Sequence, residues 1–122
     1  MSNIDISRII TIEEKAMQAT TARIKAVKAE CRRRILTHLS MEVQSNVAQA
    51  VAMHATALLR GVAPEEASAQ SGLQEADFPV AAAARTWIAQ MQATAQALAA
   101  DPALEEAWPA LPPNVAALAS RF

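Results

Sequence analysis

The residues in this 122-residue chain whose types could do chemistry are few. His38 and His54 are the two histidines. Sixteen residues apart on one helix, they would stand roughly 24 Å from each other along the axis, too far to share a metal. His54 falls beside an apolar stripe, which marks it as a buried or inter-chain histidine rather than a ligand. Cys31 is the single cysteine, so no internal disulfide forms and a thiolate metal cluster has no basis. Arg32 and Arg34 could lower its pKa and make it reactive. Its place on the apolar stripe instead favours a small buried hydrophobe.

Six cations, Arg23, Lys25, Lys28, Arg32, Arg33 and Arg34, surround one acid, Glu30, within twelve residues. Such a cluster could meet DNA phosphates. It lacks interleaved aromatics and lies on a helix with an apolar opposite face, so a solvated face or a partner for acidic residues is favoured. Glu65-Glu66 and Glu105-Glu106 are adjacent pairs that point to different sides of a helix and suit first turns, where the dipole favours negative charge. Gly61 and Gly72 stand alone, so no phosphate-cradling loop exists, and no nucleophile elbow is present. The segment 109–112, Pro-Ala-Leu-Pro, matches PxxP without flanking basic residues. No catalytic set, metal site or cofactor is expected.

The elements that would position these residues are helical. The apolar fraction is 52%, much of it alanine, and Phe78, Trp87, Trp108 and Phe122 are the only aromatics. Alanine favours helix yet buries little area, so a chain short of bulky residues is expected to complete its burial against copies of itself or a larger partner. The first half, residues 1–61, holds nine basic and five acidic groups; residues 62–122 hold two and seven. Oppositely charged halves can attract within or between chains, while the near-neutral total argues against wholesale nucleic-acid binding. The opening MSNIDISRII has neither the basic n-region nor the apolar h-region of a signal peptide, and no stretch approaches a membrane span.

Four segments follow. Residues 1–10, with Ile4, Ile6 and Ile9, read as an extended docking arm. Residues 11–61 read as one long helix opened by a Thr11–Glu14 capping box. Its contact stripe is Ile24, Val27, Cys31, Ile35, Leu39, Val43, Val47, Val51 and Leu58, in steps of mostly four that favour straight or right-handed packing. Leu36, Met53 and Leu59 add apolar positions that would bury its second half on more than one side. The weakest stretch is 37–43, THLSMEV, where a break would turn the helix into a hairpin. Residues 62–76 form a short helix and linker, opened by Pro64 and closed by Gly72. Residues 77–122 form a further helix, with core face Ala84, Trp87, Ile88, Met91, Ala95 and Leu98, then a proline-rich strap anchored by Trp108, Pro109 and Pro112. The class is all-α, an oligomeric helical bundle or coiled coil.

Two stretches resemble a known group. IDISRIITIEEKAMQATTARIKAVKAECRRRI and TWIAQMQATAQALAADPALEEAWPALPP are similar to the opening and the C-terminal pattern of tail-fibre assembly chaperones and related virion accessory proteins of tailed phages. Trp87, Leu98, Trp108, Pro109 and Pro112 are the positions that fit; Gln90, Gln92 and Gln96 stand where many such chains carry a Tyr-Arg-Gln-like element. The resemblance implies a phage or phage-like origin and a role at the tail; with no catalytic set and a self-associating composition, the first reading is a non-enzymatic virion component at the tail fibre or tail tip, made in the host cytoplasm and docked on other tail proteins. The resemblance also allows an assembly chaperone that binds unassembled fibre. A small helical DNA-binding module is the third reading.

Overall fold

The computed structural model describes residues 3–122, with side chains from residue 11 onward. Among them it contains five helices and no strand: α1 Asn3–His38, α2 Met41–Leu59, α3 Pro64–Ser71, α4 Asp77–Ala100 and α5 Val115–Ala119. The all-α expectation is met. The backbone of residues 3–10, expected to be extended, is helical. No glycine or proline interrupts it, so the helix runs through Thr11 instead of starting there, and the Thr11–Glu14 capping box is not the helix start. The side chains of Ile4, Ile6 and Ile9 lie outside the described residues.

The long helix of 11–61 breaks at Leu39–Ser40, inside the stretch of weakest helical character. Ser40 becomes the N-cap of α2, its Oγ accepting the Val43 N–H at 3.1 Å. The Gln44 amide donates to the Leu39 carbonyl at 2.8 Å, satisfying an acceptor left open where α1 ends. The break does not make a hairpin of α1 and α2. Instead α1 packs on α4, α2 on α3 and α5 on α4.

Three contacts give the register of α1 against α4: Arg23 to the Ala99 carbonyl, Cys31 Sγ to the Met91 carbonyl, and the His38 ring edge-on to Trp87. As residue numbers rise on one helix they fall on the other, so the pair is antiparallel. Farther along, Ala50 of α2 clusters with Ala81 of α4, and the His54 ring meets Phe78 edge-on at 4.7 Å. The α1–α2 arm thus follows the whole of α4, bent once.

Two glycines turn the chain at positive φ. Gly61, at φ 85, closes α2 by a Schellman pattern, with Gly61 N–H on the Leu58 carbonyl and Val62 N–H on the Ala57 carbonyl. Gly72, at φ 76, closes α3. Beyond Asp101 the chain turns and runs back along α4. Pro109 passes Trp87, α5 reaches the Ala81 end, and Arg121 pairs with Asp77 at the start of α4.

Candidate interaction surface

The core lies between α1, α4 and the returning segment: Cys31, Ile35, Leu39, Trp87, Met91, Ala95 and Val115 are buried together. The expected face of α4 is found, with Trp87, Met91, Ala95 and Leu98 buried and Ala84 and Ile88 half-buried. The stripe assigned to inter-chain contact is distributed differently. Cys31, Ile35 and Leu39 are buried inside this chain, Ile24, Val27, Val43, Val47 and Val51 are half-buried, and Leu58 is exposed. The second half of the long helix is not enclosed on several sides. Met53, Leu58 and Leu59 face outward, and the buried positions of α2 are Ala50, His54 and Ala57. Two of these three are alanines on the helix that packs against α3, whose Ala67 is fully buried.

Cys31 is a core residue, 5% exposed, with its Sγ 3.5 Å from the Met91 carbonyl. Burial pushes its thiol pKa up, the opposite of what a reactive thiolate needs. His54 is likewise buried; its Nδ1 lies 3.1 Å from Ser71 Oγ, which also accepts the Leu73 N–H at 3.1 Å.

The cation cluster divides. Arg23 donates to the Ala99 carbonyl at 2.6 Å, neutralising an open acceptor at the negative end of α4. Arg33 and Arg34 both bind Glu30, and these hydrogen bonds, Arg33 first, hold the Glu30 carboxyl down at about 2. The Arg34 guanidinium also lies over the Trp108 ring, 5.3 Å from its centroid, and 4.0 Å from Glu106. Lys25, Lys28 and Arg32 are exposed.

The strap has its anchors, in an order the sequence did not give. Trp87 is 2% exposed and donates its indole N–H to the Pro109 carbonyl at 3.1 Å. Trp108 is half-buried against the core, its N–H donated to Glu106 at 2.7 Å. Pro109 and Pro112 are half-buried beside it. Leu73, Val115 and Leu118, which no periodic pattern singled out, are among the most buried residues of the chain.

One flank of the α1–α4 pair is therefore closed by the strap, and the other is open. The open flank holds a groove of about 550 Å³ whose floor is Cys31, Ile35, Ile88 and Ala95 and whose rims carry Lys28, Arg32, Gln92 and Gln96. It continues, through Gln44 and Ile88, into an apolar cleft of about 210 Å³ between α2, α4 and α5, lined by Val47 and Val51. Upstream of the body, every residue from 11 to 22 is exposed, including Ile12 and Met17 at 65% and 70%. No helix among the described residues is long and apolar enough to cross a membrane. Comparison with protein families, curated proteins and solved structures finds no match for this chain.

Proposed function

We propose that this protein is a non-catalytic structural component of a phage or phage-like particle, placed at the tail fibre or tail tip, that works by presenting helical surfaces to neighbouring proteins. The observation that carries the docking role is the N-terminal half of α1. Twelve consecutive exposed residues, 11–22, extend a helix whose downstream part, from Arg23 to His38, is held against α4. A helical segment of this length is marginal alone in water and gains stability when a partner covers it. The tail placement is supported by the resemblance of the two quoted stretches. Copies of this chain and other tail or fibre proteins are the proposed partners.

Mass spectrometry of purified particles tests the assignment. Several copies per particle are expected. Absence from the particle, with recovery of the chain on unassembled fibre, would replace the structural role by that of an assembly chaperone. Binding to duplex DNA that collapses with salt and on replacement of Lys25, Lys28 and Arg32 by glutamine would replace it by the DNA-binding reading.

A further inference from the structure

We propose that the open groove beside α1 receives the N-terminal half of α1 from a second copy, in an antiparallel two-fold pairing of the two α1 helices. One line of side chains on α1 carries the pairing. Glu14, Met17, Thr21, Lys25, Lys28 and Arg32 are spaced three or four apart and share one face of α1. All six are exposed. Charge changes sign along this line, acidic at Glu14 and its neighbour Glu13, basic from Lys25 onward.

That arrangement selects an orientation. A parallel pairing sets Lys28 on Lys28 and Arg32 on Arg32. An antiparallel pairing centred between Thr21 and Lys25 sets Glu14 against Arg32, Met17 beside the stem of Lys28, and Thr21 against Lys25. The two-fold axis makes each contact occur twice.

The groove fits this occupant better than it fits a second groove. Its rims carry Lys28 and Arg32, and no acidic residue lines it. Two grooves placed face to face would bring four cations together around an apolar floor. A helix that offers Glu13 and Glu14 against the single Lys15, with an apolar residue on the Glu14 face, reduces that repulsion and supplies Met17, 70% exposed, to the floor. Lengths agree as well: residues 11–22 span about 18 Å of helix, and the groove follows α1 from Lys28 to Leu36, about 12 Å. The pairing rests on residues 13–32 alone. The pairing is independent of the tail assignment: particle composition tests one and the mass of the purified chain tests the other.

Sedimentation equilibrium of the full chain at roughly 100 µM should give twice the 13.0 kDa of one chain. Two charge-reversed variants decide the interface. Lys28→Glu with Arg32→Glu, and separately Glu13→Lys with Glu14→Lys, should each weaken self-association by about tenfold or more. The urea midpoint of the packed body should remain unchanged, because all four positions are on the surface; far-UV helicity should fall by no more than residues 11–22 contribute. Mixed in equal amounts, the two variants should recover the dimer, since each arm then meets a groove of opposite sign. A monomeric wild type, a dimer indifferent to both reversals, or a mixture that stays monomeric would each overturn the proposal; in the first case the groove belongs to an acidic helix of another protein.

Discussion

Replacing Trp87 tests how the C-terminal segment is held. Residues 105–111 show no backbone–backbone hydrogen bond among the described residues, so the strap depends on side chains. The Trp87 indole, 2% exposed, fills the centre of the core and bonds the Pro109 carbonyl. Trp87→Phe keeps most of the apolar surface and deletes the donor, which costs about 1–2 kcal/mol from the lost bond and the smaller ring. Trp87→Ala also leaves a cavity between α1, α4 and Val115 and costs about 3–5 kcal/mol. A chain of this length has about 6–18 kcal/mol in total, so the alanine variant loses a large share of it. Urea unfolding followed by far-UV dichroism measures both. Trp87→Phe leaves Trp108 as the single indole, and its emission then reports the strap alone; loosening appears as a red shift before the helices melt. A loss below about 1 kcal/mol for Trp87→Ala, or equal losses for the two variants, would refute the reasoning.

Ser71→Ala removes one oxygen that serves both His54 Nδ1 and the Leu73 N–H. Two buried groups are left without that partner, and urea unfolding should show a loss of about 2–4 kcal/mol. Ser40→Ala deletes the α2 cap and should cost about 1 kcal/mol, with faster amide exchange at Val43 than elsewhere in the helix. The Arg121 guanidinium, with help from the Gln74 N–H and against the effect of burial, holds the Asp77 carboxyl below its usual range. A depressed carboxylate stabilises the fold above its ordinary pKa, and that contribution is lost as pH falls through the lower folded value. Urea midpoints measured downward from pH 5 should therefore drop more steeply in the wild type than in Asp77→Asn; parallel slopes would dismiss the clasp as a source of stability.

Much of this fold is visible in spacing. The α4 core face follows a three-and-four repeat, Gly61 and Gly72 sit at the positive-φ positions that end α2 and α3, and Asp101-Pro102 ends α4. The break at Leu39–Ser40 is harder to foresee, because neither glycine nor proline marks it. What marks it is Ser40, a good N-cap in a stretch that is also tolerable as helix, and the choice is made by tertiary packing of Leu39, 4% exposed, into the core. Leu73, Val115 and Leu118 escape notice for a related reason. Each sits in or beside a short segment, where periodicity has too few turns to register, and each is buried by chain reversal rather than by a long amphipathic face. The cation cluster was legible as charge but not as partners: Glu30 captures Arg33 and Arg34 by local spacing, while the Ala99 carbonyl that holds Arg23 comes from a residue 76 positions away.

The expectation that an alanine-rich chain completes its burial against other chains takes side-chain volume as the limit on burial. Within this chain, part of the shortage is met by proximity. Ala50, Ala57, Ala67, Ala81 and Ala95 are all buried, and a methyl group at a helix contact lets two backbones approach until the little surface present is covered. The stripe through Cys31, Ile35 and Leu39 is then satisfied by α4 and the strap, and no neighbour is needed to bury it. Among the described residues, the large apolar side chains left exposed are Ile12 and Met17 on the upstream half of α1, Met41, Met53, Leu58 and Leu59 on α2, and Leu104 after α4. Self-association, where it occurs, is accordingly directed to particular faces, and the charge reversal along the outer line of α1 makes that helix the one whose partner can be specified.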